Sequence, residues 1–261
     1  MKSIPLNANA KLNIFLDITG KREDGYHDIF TEMQEIDLGD VVTIESTESQ
    51  TGISIDCNNS AIPNDERNVA YRAAELFMRE LGVDLGVRIT IIKKIPVMAG
   101  LGGSSTDGAA VLKGLNLICG GVFTERELLK LGGRLGADVP FCIVGGRAEC
   151  RGIGDVITKL PDLKSLFYAI VKPDFGCDTR NAYSLYSPGI KRILPNLFQQ
   201  LHNDERINRI CDKLISAGAK FASMSGSGSA VFGIFDDLKS AESALESFEM
   251  PFKIIAQNVK K

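Results

Sequence analysis

An eleven-residue alternation near the N-terminus commits this chain to a β-sheet. Ala8, Ala10, Leu12, Ile14, Leu16 and Ile18 are interleaved with Asn9, Lys11, Asn13, Phe15 and Asp17. A period of two sends successive side chains to opposite faces, so the run is a half-buried strand with one face on a core. Its other face presents Lys11 and Asn13 side by side. Further strand-like stretches lie near 29–36, 41–45, 53–56 and 87–92.

Helical spacing is interspersed with these strands. Val69, Ala73, Leu76, Phe77 and Leu81 define a helix over 68–81. Ala109, Leu112, Leu115 and Cys119 line one face of a second. Thr124 and Glu127 form the sequence signature of a capping box, opening a third helix that ends at Gly132-Gly133. Beyond residue 150 the pattern is strand, strand, helix, strand, strand, helix, strand. Its clearest strands are 166–171, 221–223 and 230–235, and its clearest helices 205–217 and 238–248. Strands and helices mix without a strict βαβ alternation, which favours an α+β fold over a doubly wound sheet. Gly152, Gly154 and Pro161 cluster where a boundary would fall, giving an N-terminal domain 1–155 and a C-terminal domain 156–261.

Charge and composition remove several function classes. A formal net charge of −3 offers no basic field for nucleic acid or an anionic membrane. Met1 to Pro5 lead into an apolar stretch too short and too polar for a signal peptide. No run approaches the ~18–20 apolar residues of a membrane span. The six cysteines form no Cys-x-x-Cys pair, so they read as reduced, mostly buried small hydrophobes and not as zinc ligands. Gly-x-Ser-x-Gly and His-Glu-x-x-His are both absent, and His202 carries no role.

Four segments could carry chemistry. Pro96, Val97, Met98, Ala99, Gly100, Leu101, Gly102, Gly103, Ser104, Ser105 and Thr106 follow a strand and open a helix. Glycines admit an anion close to the backbone, and a helix N-terminus offers N–H donors and a favourable dipole. The same residues also suit a plain strand-to-helix connection. No Lys-Ser or Lys-Thr follows the glycines, so this is no Walker A loop, and Ser105 stands where a dinucleotide fingerprint needs its last glycine. Lys11 with Asn13 reads as an edge-strand charge or as a pair that orients a hydroxyl. Asp138 sits in Gly136–Phe141, where Pro140 predicts a fixed turn and not a helix; the carboxylate is either turn-stabilising or positioned for chemistry. Ser223–Ala230 is a small-residue loop, either a hairpin or a place of close backbone approach.

Together these segments resemble the GHMP kinase superfamily, most specifically through Pro96–Ser105. Within it, Ala10–Leu16, Arg22–His27, Leu135–Phe141 and Gly152–Asp155 are similar to the 4-diphosphocytidyl-2-C-methyl-D-erythritol kinase family. The likeness is dense over 8–160 and returns at Lys172-Pro173, Thr179–Tyr183 and Ser225–Phe235. It implies two α+β domains with the active site in an interdomain cleft. It also implies transfer of the ATP γ-phosphoryl group, accompanied by Mg²⁺, to the 2-hydroxyl of a cytidine-diphosphate-linked methylerythritol, a step of non-mevalonate isoprenoid biosynthesis. By the same resemblance Asp138 is the catalytic base and Lys11 the catalytic lysine. Pro96–Thr106, Asn68 and Lys93 face the nucleotide. Tyr26 and Tyr183 sandwich the cytosine, His27 reads its edge, and Asn13, Thr179, Gly226, Ser227 and Gly228 contact substrate. The implied enzyme is cytoplasmic, a monomer or weak homodimer, with no nucleic-acid or membrane partner. Two positions depart from the pattern: Ser104 replaces a glycine and Gly108 an alanine, the latter weakening the helix start.

Overall fold

A computed structural model describes residues 2–47 and 51–261. Its elements run β1 (Ser3–Lys21), β2 (His27–Thr47), β3 (Gly52–Cys57), α1 (Val69–Leu81), β4 (Gly86–Ile92), α2 (Gly103–Ile118), α3 (Glu125–Leu135) and α4 (Val139–Val144). These are followed by β5 (Arg147–Arg151), β6 (Val156–Lys159), β7 (Phe167–Lys172), α5 (Thr179–Ser184), α6 (Leu197–His202) and α7 (Glu205–Ser216). The chain closes with β8 (Phe221–Met224), β9 (Val231–Phe235), α8 (Leu238–Glu246) and β10 (Phe252–Gln257). Helices and strands are mixed and most strand pairs are antiparallel, as an α+β fold requires. Two compact units result, each assembled from several stretches of chain.

The first unit comprises residues 1–10, 39–95 and 102–144. The second half of β2 pairs antiparallel with β4, from Val41↔Ile92 to Thr47↔Gly86. β3 adds in parallel, Gly52↔Gly86 to Cys57↔Ile91. Val42, Ile44, Ile89 and Ile91 leave the sheet fully buried, as do Ala73, Phe77, Leu112 and Leu115 from the helices. Two glycines set how closely the layers approach. A Cβ on Gly108 would stand 2.7 Å from Val69 Cγ1, and one on Gly114 would stand 2.6 Å from Ile44 Cδ1. Gly108 therefore exchanges helix propensity for contact between α1 and α2.

Local sequence signals explain most helix ends. Asn68 caps α1 by accepting from Ala70 N, and Gly82, at φ 71°, stops it. The Thr124–Glu127 capping box forms at α3. Two expectations need correction. α3 runs through Gly132-Gly133 to Leu135, because a side chain at Gly132 would meet Ile143 Cδ1 at 2.9 Å and the glycine is there for packing. The Gly136–Phe141 segment is not only a turn: α4 begins at Val139 with Pro140 as its second residue. The first N–H groups of a helix have no intrahelical acceptor, so a proline there forfeits nothing.

The second unit comprises residues 11–38, 96–101 and 145–261. The first half of β2 pairs with β5 (Thr31↔Cys150), and β5 pairs with β6. A separate antiparallel sheet is ordered β10-β7-β9-β8. α7 and α8 pack on it, closing a core of Leu16, Ile18, Val171, Phe198, Leu214, Val231 and Phe235. The short helices α5 and α6, absent from the sequence pattern, are each capped by an acceptor side chain, Asp178 and Asn196. All six cysteines are free thiols; Cys142, Cys150 and Cys211 are buried and the other three half-buried. No helix among the described residues is long and apolar enough to cross a membrane.

Candidate active site

The alternating strand gives the site its backbone. β1 is covered on both faces where Lys11 and Asn13 lie, so the open second face expected from the alternation is filled: Lys11 is 4% exposed and Asn13 1%. A buried ammonium must be met by acceptors. Lys11 Nζ donates to Asn13 Oδ1 at 2.5 Å and to Gly100 O at 3.0 Å. Ser225 Oγ accepts from Asn13 N (3.2 Å) and donates to the same Gly100 carbonyl (2.9 Å). Asn13 Nδ2 donates to Thr31 Oγ1 (2.8 Å), which donates to Phe15 O (2.6 Å). Three segments far apart in sequence, Lys11–Asn13, Gly100 and Ser225-Gly226, therefore meet inside the second unit.

Glycine is required at this junction. Gly100 has φ 73°, and a Cβ there would lie 2.0 Å from Ser225 O. Gly226 has φ 54°, with its Cβ direction 3.1 Å from Asn13 Oδ1 and 3.2 Å from Lys11 Nζ. Both combine a left-handed backbone with a close approach, so the small-residue loops are close-approach devices here. We expect Gly100→Ala to cost about 2–4 kcal/mol or to displace the loop, because backbone cannot yield as a side chain can. Chemical denaturation checks this; an unchanged midpoint would mean that the junction is loose.

The loops are tied down on either side. Ala230 N donates to Ala99 O at 3.1 Å, and Met98, at φ 52°, accepts from Cys177 N and Ser229 N through its carbonyl. Pro96 is half-buried, Val97 and Met98 are exposed, and Ala99 and Leu101 are buried. Thr179 and Ser227 share a 2.8 Å hydroxyl–hydroxyl bond. Gly228, at φ 90°, would bring a Cβ within 2.5 Å of Met224 Sδ. Asn196 was missed in the sequence. Its Oδ1 caps α6 while Nδ2 donates to Met224 O (2.7 Å) and Gly226 O (2.8 Å). Pro195-Asn196 ahead of an apolar run was the available cap signal. Thr31 was also missed, and a threonine in a strand gives no signal of its own.

The aromatic residues cluster in the same unit. His27 stacks on Tyr183 at 5.0 Å and meets Tyr186 edge-on, while Tyr183 meets Phe198 edge-on at 4.8 Å. Stacking on Tyr183 is thus made by His27, not by Tyr26, which is 60% exposed beside the turn at Gly25. Burial, reinforced by the Lys21 charge, lowers the His27 pKa and so favours the neutral ring. Its Nε2 is buried without a hydrogen-bond partner, a polar atom suited to a ligand.

The first unit holds the remaining candidates. Gly102, at φ 76°, is the N-cap of α2, and Gly103 is pressed against Ile95 and Lys93. Ser104 is exposed, Ser105 half-buried, and Thr106 Oγ1 donates to Asn9 O at 2.8 Å. The uncapped amides at the start of this 16-residue helix suit a phosphate. Asn68 and Lys93 have internal partners instead of open ones. Asn68 caps α1 and donates to Pro63 O at 2.8 Å. Lys93 Nζ lies between Asp40 (2.5 Å) and Asp107 (2.8 Å). Asp138 is half-buried and directly precedes α4, its carbonyl accepting from Cys142 N at 3.1 Å. Among the described residues no group of three or more His, Cys, Asp or Glu side chains is placed to hold a metal. The donor set therefore fits Mg²⁺ only as an ion carried largely by nucleotide phosphates.

Comparison with known proteins identifies the family. The GHMP kinases N-terminal domain matches residues 68–146, and the GHMP kinases C-terminal domain matches residues 200–253. The 4-diphosphocytidyl-2-C-methyl-D-erythritol kinase of Clostridium acetobutylicum is 43% identical over 261 residues, covering 91% of this chain and 92% of that protein. The kinase of the same name from Clostridium beijerinckii is 40% identical over 272 residues, covering 95% and 96%. A crystal structure of 4-(cytidine 5'-diphospho)-2C-methyl-D-erythritol kinase superposes with a TM-score of 0.85 at 28% identity, covering 99% of this chain and all of that one. A homoserine kinase from Cytophaga hutchinsonii, at TM-score 0.75 and 19% identity, shares the fold. With two fifths of its residues identical along nearly the full length of such relatives, the chain belongs to the 4-diphosphocytidyl-2-C-methyl-D-erythritol kinase family of the GHMP kinases.

Proposed function

We propose that this chain transfers the γ-phosphoryl group of ATP to the 2-hydroxyl of 4-diphosphocytidyl-2-C-methyl-D-erythritol, on the non-mevalonate route to isoprenoid precursors. The observation that carries the reading is identity of 40–43% to relatives named for that activity. As a GHMP kinase the chain is an ATP-dependent enzyme with a small-molecule substrate.

Phosphoryl transfer needs positioning and charge neutralisation more than covalent work from the protein. The amides at the start of α2 and the glycines of 100–103 hold the phosphates in this proposal. Mg²⁺ bound with ATP would offset the charge of the phosphates, with the hydroxyls of Ser104 and Ser105 available to help hold it. Asp138 takes the proton of the acceptor hydroxyl, and Lys11 favours the negative charge that develops there. Asn13, Thr179, Gly226, Ser227 and Gly228 line the acceptor, and Asn196 fixes the loop carrying Gly226. Tyr26, His27 and Tyr183 hold the cytosine, with the unpartnered Nε2 of His27 meeting its polar edge. The enzyme works in the cytoplasm as a monomer or weak homodimer.

The test is ADP release from ATP and Mg²⁺ with three acceptors in parallel: the cytidyl substrate, homoserine and mevalonate. Release with the cytidyl substrate alone supports the proposal. Release only with another alcohol keeps the kinase and discards the base-binding roles. Tyr26 gives a second check. At 60% exposed it contributes little to stability, so Tyr26→Ala isolates recognition. We expect KM for the cytidyl substrate to rise about tenfold with Tm unchanged, the worth of one stacking face. An unchanged KM removes Tyr26 from the site.

A further inference from the structure

Behind the first turn of α2 lies a charged cluster with no counterpart elsewhere in the proposed machinery. Lys93 Nζ bridges Asp40 Oδ2 at 2.5 Å and Asp107 Oδ2 at 2.8 Å, and all three side chains are at most 5% exposed. Asp40 Oδ1 also accepts from the backbone N–H groups of Lys94 (2.6 Å) and Ile95 (2.9 Å). Asp40 thus holds the segment that enters the glycine loop. Asp107 belongs to α2 itself, four residues after Gly103, so the lysine ties the start of the helix to the end of β4. There is no slack at the tie, since a Cβ on Gly103 would stand 3.2 Å from Lys93 Nζ and 3.2 Å from Ile95 Cγ2.

The cluster is also unbalanced, with one cation against two carboxylates. Asp107 Oδ1 is buried and has no hydrogen-bond partner. Burial, with Asp40 adding to it, pushes the Asp107 pKa up against the pull of Lys93. Stability alone accounts poorly for such a cluster, because a buried ionic group is often no better than well-packed apolar side chains. What it does supply is a fixed geometry at the helix end whose amides are proposed to bind phosphate.

We propose that Lys93, Asp40 and Asp107 form a buried ionic clamp that sets the pose of the first turn of α2, making Lys93 a positioning residue for nucleotide phosphates and not a ligand of them. The inference rests on the kinase reading above. Lys93 acts through Asp107 on the amides of Gly103, Ser104 and Ser105, and through Asp40 on the chain entering the loop.

The test is a double-mutant cycle on the full chain with Lys93→Met, Asp107→Asn and the double variant. It is read by equilibrium binding of ADP, by KM for ATP and kcat, and by Tm. We expect Asp107→Asn to weaken ADP about fivefold and Lys93→Met about tenfold, with the double variant no worse than about tenfold, because both break one tie. KM for ATP should follow ADP affinity while kcat changes less. Independent effects, multiplying to about fiftyfold, would make Lys93 a direct ligand and overturn the clamp. A purely stabilising role would lower Tm and leave ADP affinity unchanged, which also overturns it. Should Lys93→Met fail to fold, Asp107→Asn decides alone, since unchanged ADP affinity there contradicts the proposal. Absence of ADP binding and of turnover in the unmodified protein would instead strike the kinase reading.

Discussion

Asp138→Asn is expected to lower turnover by about 10²–10⁴ while equilibrium binding of the cytidyl substrate changes less than about threefold. Asparagine keeps the shape and the acceptor oxygen of the half-buried carboxylate, and the backbone before α4 keeps its bond to Cys142 N. What is lost is the capacity to accept a proton. An interaction made only as the proton leaves affects kcat and kcat/KM equally; one made with bound substrate affects KM. A large loss of affinity with turnover intact would make Asp138 a positioning group and leave the chemistry to a late, solvent-assisted proton loss.

Lys11→Met carries the second large effect. Methionine conserves much of the side-chain volume but removes the ammonium that donates to Asn13 Oδ1 and Gly100 O. Loss of one donor aimed at developing charge typically costs about 10²–10³ in turnover. Stability should move little, because relief of the buried ammonium's desolvation offsets the loss of the donor to Asn13 Oδ1 and Gly100 O. A fall in activity with Tm held or raised is the signature of a residue kept for function against stability. A fall in both, in proportion, would reduce Lys11 to a structural tie between β1 and the glycine loop.

Periodicity made much of the fold legible. The strand at 8–18, the helix at 68–81 and the capping box at Thr124 all lie where alternation and cap chemistry put them. The errors share a physical cause, namely tertiary packing that a local pattern does not encode. Gly132 looks like a helix end and Gly108 like a weak point in a helix start, yet both are contact points where a Cβ would collide with Ile143 or Val69. Pro140 looks like a helix stop, yet it occupies a position where no N–H is needed. Lys11 and Asn13 look solvated because alternation shows only which residues share a face, not whether a second layer covers it. The short helices α5 and α6 lack the length for a periodic signal; only their caps were readable.

The candidate site divides in the same way. Its loops announce themselves by composition, since glycines and serines in Pro96–Thr106 and Ser223–Ala230 permit close approach and little else. Their convergence on Lys11 and Asn13 rests on bonds between residues 89 to 212 positions apart, such as Lys11 Nζ to Gly100 O and Asn13 N to Ser225 Oγ, which no local pattern reveals. The ties of Lys93 to Asp40 and Asp107 were hidden for the same reason. The resemblance sets Lys93 near the nucleotide, and only the structure shows the two carboxylates that flank it.

The most direct measurement of the central claim is phosphorus NMR of the product formed from ATP, Mg²⁺ and the cytidyl substrate. The 2-position carries a methyl group and no hydrogen, so a phosphate monoester on its oxygen has no carbinol proton to couple to. An unsplit phosphomonoester resonance beside an intact diphosphate is the expected spectrum. A monoester split by one or two carbinol protons would place the phosphoryl group on another hydroxyl and contradict the assignment.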